Sequence, residues 1–322
     1  MKDKMDILAC TDNKFVMPTG VMMQSVCEND KDIEITFHII IDEGVTEQSK
    51  NDLKKVVDHF EGKHLSFYKV NSDFFKTLPA LENRQSLTQA SYYRLYAAKI
   101  LPPTVEKILY LDGDIIARHS LLPLWNTDMQ DYAIAGITDA DAGNYNIYNR
   151  LDFSPHKNYL NAGVLLLNIN YWRAHNVLEA FIDFMTHHKD RIVAHDQDVL
   201  NYVFRDCKKT LPIKFNLQSS HLFKRPSYFW KHDPEILESI KDPVIVHFTM
   251  GKPWYKYNLF QHPYRSLFFK YQSHTIWANS PLIETRSIKT RIIKKIATAL
   301  RRIKLLPELP PMGEYIDVPP IE

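Results

Sequence analysis

The sequence predicts an α/β protein: a mostly parallel, doubly wound sheet with helices on both faces. Three observations carry this. Residues 6–70 alternate strand-like and helix-like stretches in a β-α-β-α-β rhythm, which is the rhythm of parallel crossover units. Ile108-Leu109-Tyr110-Leu111 is apolar at every position, as expected of a strand covered on both faces. Acidic residues stand where such strands end, Asp12 after the first and Asp112 after the central one, on the rim where open α/β sheets bind ligands.

In chain order, Asp6–Asp12 reads as the first strand, and Pro18 sits in the opening turn of a helix that reaches about Cys27, a position where proline is tolerated. Ile33–Ile41 is a β-branched strand, Thr46 and Glu47 start a helix running to about Phe60, and Leu65–Val70 is a third strand. Ser86–Ile100 reads as one helix, which would carry Arg94 toward the rim. Leu121–Trp125 is an apolar connector, and Tyr132–Thr138 is a strand ending at Asp139. Asp141–Pro155, rich in Asn, Asp and Tyr, reads as a long loop over one side of the site. Asn161–Asn168 is a buried strand with a small-residue entry. Tyr171–His188 reads as one helix whose terminal histidines suit the negative end of its dipole. His195-Asp196-Gln197-Asp198 opens another helix, where an acidic residue can serve as an N-cap or point into the cleft. Val244–Phe248 is a strand carrying His247, followed by Gly251-Lys252-Pro253-Trp254.

Totals set the bounds. The chain has 322 residues, 45% hydrophobic and 24% charged, the composition of a soluble globular protein with one large α/β domain plus extras or two domains. A net charge of +2 gives no nucleic-acid signature. Cys10, Cys27 and Cys207 are too few and too scattered for a disulfide framework or a zinc site, which suits a reducing compartment. The start of the chain lacks the apolar core of a secretory signal, and no run of about 18 apolar residues exists to span a membrane.

Asp112-Gly113-Asp114 is the chemical centre of this reading. At strand spacing, positions two apart point the same way, and Gly113 lets a ligand approach the backbone. Two hard oxygen ligands there suit a divalent cation carrying a diphosphate; the same triplet also fits a polar turn that merely ends a strand. His247 would add a nitrogen ligand, which favours Mn²⁺ over the all-oxygen preference of Mg²⁺, and Lys252 a positive charge for phosphate. Arg286, Lys289, Arg291, Lys294, Lys295, Arg301, Arg302 and Lys304 accompany Ile288, Ile292, Ile296, Leu300 and Ile303 at helical spacing, with no acid among them. This is a basic amphipathic helix that suits an anionic membrane surface or packing on the protein's own body, and a proline-rich end follows it.

Six short motifs, in order from Ile7 to Tyr255, resemble glycosyltransferase family 8, most closely its bacterial lipopolysaccharide α-glucosyl- and α-galactosyltransferases. They are Thr11-Asp12, Ser91-Tyr92-Tyr93-Arg94, Tyr110-Leu111-Asp112-Gly113-Asp114, Asn161-Ala162-Gly163-Val164, Asp196-Gln197-Asp198, and His247 through Gly251-Lys252-Pro253-Trp254. The resemblance implies a GT-A fold, a Rossmann-like nucleotide-binding sheet, over 1–283, followed by a basic, membrane-associating tail over 284–322. It implies a retaining, Mn²⁺-dependent hexosyltransferase that takes glucose or galactose from a UDP-sugar to a lipopolysaccharide or other surface glycan. Asp112, Asp114 and His247 would hold Mn²⁺; Cys10, by its backbone, and Asp12 would line the uracil pocket. Arg94, Gly113, Asn161, Ala162 and Gly163 would lie against the donor. Asp196 would bind sugar hydroxyls, Gln197 would lie beneath the anomeric carbon, and Gly251 and Lys252 would bind diphosphate. Such an enzyme would work at the inner face of the cytoplasmic membrane. A catalytically inactive nucleotide- or glycan-binding module on the same fold is the alternative, against which the intact Asp112, Asp114, His247 and Lys252 argue. A phosphotransferase is disfavoured because no Walker-type glycine-rich lysine loop is present.

Overall fold

The computed structural model describes residues 3–70, 89–223, 233–256 and 262–284, and the single positions 296 and 318. The basic segment 286–304 therefore lies outside the described residues, apart from position 296, as does the proline-rich end apart from 318.

Strands β1 (Lys4–Thr11), β2 (Glu34–Ile41), β3 (Lys63–Lys69), β4 (Lys107–Leu111), β6 (Ile134–Thr138), β7 (Leu160–Asn168) and β8 (Lys208–Leu211) form a seven-stranded sheet in the order β3-β2-β1-β4-β7-β6-β8. β1 pairs in parallel with β2 and β4, and β6 with β8, while β7 runs antiparallel to both β4 and β6. The sheet is thus mostly parallel, with one reversed strand inserted beside the central one. A smaller three-stranded sheet, β5 (Ile115–Ala117), β10 (Ile245–His247) and β9 (Leu217–Gln218), follows directly from the end of β4.

Side-chain alternation divides the core between the two faces of the large sheet. Ile7, Ala9, Leu109 and Leu111 join one apolar cluster with helix α1 (Val16–Asn29); Leu8, Cys10, Ile108 and Tyr110 join a second with the aromatic residues Tyr92, Tyr93 and Trp172. The apolar run in β4 is therefore covered twice, because one residue in two faces each cluster. α1 includes Pro18 in its first turn, and Thr46 caps α2 (Glu47–Val57) by accepting from the Ser49 N–H.

Three elements differ from the expectation. The stretch expected as one helix over 86–100 is a 3₁₀ helix, Gln89–Tyr96, followed by a short α-helix, Ala97–Ile100; 86–88 lie outside the described residues. With three residues per turn, Ser91 and Arg94 share one face and meet at the site, while Tyr92 and Leu95 share another in the core. The expected loop 141–155 contains a helix, Tyr145–Leu151, capped by the Asn144 side chain. The expected helix over 171–188 is two, Ile169–Ala174 and Val177–His187, because Asn176 takes a left-handed conformation with φ 47° between them. At the C-terminal side, Ile283 bridges to Tyr255 and so ties the last described turn to the body.

Candidate active site

The ends of β4, β7 and β10 converge on one cluster. Asp112, Asp114 and His247 each place a ligating atom there, all within 4.8 Å of one another. His247 Nε2 lies 3.3 Å from Asp114 Oδ1 and 3.8 Å from Asp112 Oδ2. Gly163, on the strand alongside, leaves room for them: a Cβ there would come within 2.2 Å of His247 Cε1 and 2.9 Å of Asp112 Oδ2. Two carboxylates and an imidazole in a cradle that only glycine leaves open fit a divalent cation with mixed oxygen and nitrogen ligands.

Each member is held from behind. Asp112 Oδ1 accepts from the Tyr110 hydroxyl (2.6 Å) and from Arg94 Nη2 (3.1 Å), which leaves Oδ2 toward His247. Lys252 forms an ion pair with Asp114 Oδ2 and also donates to the Phe248 carbonyl (2.6 Å). Burial raises the Asp114 pKa, but the Lys252 ammonium and the adjacent His247 ring outweigh it and hold the carboxyl below its ordinary range. Lys252 follows Gly251, whose φ of +66° is a left-handed turn that favours glycine.

Arg94 is buried against the opposite wall. Its guanidinium lies 3.9 Å from the Tyr110 ring centroid, and its Nη1 donates to the Ala162 carbonyl. Arg94 Nε lies 3.0 Å from Asp196 Oδ2, yet its single N–H is directed to the Ser91 carbonyl (2.9 Å). The contact is therefore ionic, and Asp196 Oδ2, although buried, accepts no hydrogen bond. Burial pushes the Asp196 pKa up to about 6, with Arg94 opposing and Asp112 adding to the rise. Gln197 is engaged at both ends of its amide: Oε1 accepts from the Ala162 N–H (2.9 Å) and Nε2 donates to Asp139 Oδ2 (3.0 Å). Asn161 donates to the same Asp139 oxygen (2.9 Å).

Asp196, Gln197 and Asp198 begin the helix His195–Val203, but neither acid caps it; its N-cap is Ala194. Asp198 faces the protein interior, saturated by donors. Its oxygens accept from both Arg150 Nη atoms (2.8 and 3.0 Å), the Tyr159 hydroxyl (2.7 Å), and the Val193 and Ala194 N–H groups (2.7 and 2.6 Å).

Cys10 is buried near the end of β1, and burial pushes its thiol pKa well up. Asp12 Oδ1 accepts from the Lys14 and Phe15 N–H groups (2.9 Å each) and shapes the turn into α1. A Cβ at Gly113 would meet Thr19 Oγ1 at 2.7 Å, so glycine there lets α1 pack on the site loop.

Sequence reasoning missed Tyr110, Asp139 and Asn216 as parts of this cluster. Tyr110 was legible in principle, since it precedes Asp112 by two residues on the same side of the strand. Asn216, which is fully buried and meets His247 Nδ1 at 2.9 Å, leaves no such pattern.

A family profile described as Glycosyl transferase family 8 matches residues 6–258. The chain is 29% identical over 280 residues to General stress protein A of Bacillus subtilis (strain 168), covering 85% of this chain and 94% of that protein. It is 26% identical over 289 residues to the Lipopolysaccharide glucosyltransferase WaaO of Escherichia coli (strain K12), covering 87% and 81%. Among solved structures, galactosyltransferase LgtC in complex with donor and acceptor sugar analogues aligns with a TM-score of 0.74 at 24% identity, over 89% of this chain and 99% of that one. That likeness concerns the fold, which is GT-A.

Proposed function

The chain belongs to glycosyltransferase family 8, and from that premise we propose that it moves a hexose, glucose or galactose, from a UDP-sugar to a lipopolysaccharide or other surface-glycan acceptor, with α linkage and Mn²⁺ as its metal. The relatives named for lipopolysaccharide glucosyl and 1,3-galactosyl transfer support the hexose and the acceptor class. The observation that carries the reading is the convergence of Asp112, Asp114 and His247, with Lys252 paired to Asp114 on one side and Arg94 joining Asp112 to Asp196 on the other.

On this reading Asp112, Asp114 and His247 hold the metal, which as a Lewis acid offsets charge on the departing diphosphate. Lys252, positioned by Gly251, adds a second positive charge there. The Cys10 backbone and Asp12 line the uracil pocket, and Arg94, Gly113, Asn161, Ala162 and Gly163 wall the donor. The buried Asp196 Oδ2, which meets the Arg94 charge but accepts no hydrogen bond, takes a sugar hydroxyl. Gln197 lies beneath the anomeric carbon. An amide is a poor nucleophile with no proton to give near neutral pH, and Asp198 is saturated by donors. Retention then proceeds by front-face attack: the acceptor hydroxyl enters on the side the diphosphate leaves, and a departing phosphate oxygen takes its proton. The catalytic unit spans 1–283, and the basic segment 286–304 attaches it to the inner face of the cytoplasmic membrane.

The test is incubation with a panel of UDP-sugars and Mn²⁺, reading UDP release and the anomeric configuration of the product by NMR. UDP release with an α product is expected. Failure to turn over any UDP-sugar identifies an inactive binding module, and a β product contradicts the mechanism. Co-sedimentation with anionic vesicles, lost with neutral lipid or after truncation at Glu284, tests the tail.

A further inference from the structure

The cation cradle and the sugar-facing helix are joined by an unbroken row of side-chain hydrogen bonds. His247 Nδ1 meets Asn216 Oδ1 at 2.9 Å; Asn216 Nδ2 donates to Asn161 Oδ1 at 2.9 Å; Asn161 Nδ2 donates to Asp139 Oδ2 at 2.9 Å; and Gln197 Nε2 donates to that same oxygen at 3.0 Å. Asn216 is fully buried, and Asn161 is 8% exposed.

The direction of every bond in this row is fixed by groups that have no choice. The Gly163 N–H can only donate, and it points to Asn161 Oδ1 at 3.0 Å. The Asp139 carboxylate accepts from the other end of the same amide. Turning Asn161 over would set its NH₂ against the Gly163 N–H and its carbonyl oxygen against the carboxylate, so Asn161 Oδ1 is pinned. Asn216 must then present its NH₂ to that oxygen, which leaves Oδ1 for His247. The His247 proton is therefore on Nδ1, and the lone pair is on Nε2, the atom that faces Asp112 and Asp114.

The geometry points to Asn216 as a positioning residue: it fixes the metal-ready tautomer of His247 and ties that ring, through Asn161 and Asp139, to the Gln197 amide. This rests on the metal site proposed above, and it assigns a role to a residue that touches neither metal nor donor. Outer partners that orient a ligating imidazole contribute about 10- to 100-fold in metal affinity. The choice of Asn also matters. A carboxylate at 216 would still accept from Nδ1–H but could not donate to Asn161 Oδ1; an alanine could do neither.

Two measurements test it. In calorimetric titration of Mn²⁺ in the presence of UDP, Asn216→Ala should bind about 10- to 100-fold more weakly than the parent, and Asn216→Asp should recover most of that loss. UDP binding without metal should be unchanged in both. Unchanged Mn²⁺ affinity in Asn216→Ala, or equal losses in the two variants, would overturn the assignment. The second measurement needs no variant to fold. In the metal-free, ¹⁵N-histidine-labelled parent at mildly alkaline pH, where imidazoles are neutral, His247 should carry its proton on Nδ1; a proton on Nε2 would overturn the inference. Failure of the parent to take up Mn²⁺ with UDP present would instead overturn the metal site itself, while the tautomer result would still decide the role of Asn216.

Discussion

Two of the chain's acid-x-acid triplets, Asp112-Gly113-Asp114 and Asp196-Gln197-Asp198, are built in opposite ways. At Asp112-Gly113-Asp114, oxygens are left facing one another and a bare imidazole nitrogen. Among the described residues, Asp198 in Asp196-Gln197-Asp198 lies at the other extreme: five donor atoms meet its two oxygens, and none of its surface is exposed. One arrangement leaves lone pairs facing one another, which suits a cation. The other spends every lone pair on the protein and fixes the turn that aims Asp196 and Gln197. Counting donors and acceptors separates a site from a scaffold where residue type alone does not.

Substitutions at the two triplets should therefore fail in different ways. Asp112→Asn should lower transfer by about 10³-fold or more, since a metal ligand supplies several kcal/mol of charge stabilisation. Its thermal midpoint should hold, because an Asn oxygen can still accept from Tyr110 and Arg94 while repulsion with Asp114 is relieved. A parallel loss of fold would blur the contrast. Asp198→Ala should instead cost about 3–5 kcal/mol in urea unfolding, because it strands Arg150 and two backbone N–H groups without their acceptor. Full stability in that variant would contradict its role as scaffold.

Between these extremes lies Gln197, whose amide is engaged at both ends yet sits beside the reacting centre on the proposed reading. Gln197→Ala should slow transfer by about 100-fold without abolishing it, and Gln197→Glu should not exceed the parent rate. A covalent sugar ester trapped on Asp198 would break the comparison outright.

The smallest expected effect concerns Asp196. Burial raises its folded pKa to about 6, Arg94 opposing, from an ordinary value near 4 in the unfolded chain. The folded chain thus holds a proton that the unfolded chain releases first. This group's contribution to stability is present below about pH 4 and declines as pH rises to about 6. In metal-free protein, Asp196→Asn should flatten that decline in denaturant titrations across the window; an unchanged slope would mean the carboxyl is not perturbed.

Much of this was legible in the sequence. The alternation in residues 6–70 and the apolar run 108–111 gave the sheet, because period-two patterning and burial are local properties of a strand. The meeting of Asp112, Asp114 and His247 was legible because strand ends are where an α/β sheet gathers its polar groups. The helix break at Asn176 was not, since it depends on one left-handed residue rather than on any pattern. Asn216 was not either, because its place is set by a partner 31 residues away. Asp198 was read beside Asp196, and only the donors on Arg150 and Tyr159, brought in by the fold, tell the two acids apart.

On the proposed reading Asp112, Asp114 and His247 together make a metal-dependent transfer site. The most direct measurement is sugar transfer from the preferred UDP-sugar after exhaustive chelation, followed by return of Mn²⁺, in the parent and in Asp114→Asn. The parent should lose activity with the metal and regain it on addition, while Asp114→Asn should stay inactive at every Mn²⁺ concentration. Full activity in chelator, or an Asp114→Asn enzyme that recovers to the parent rate, would contradict it.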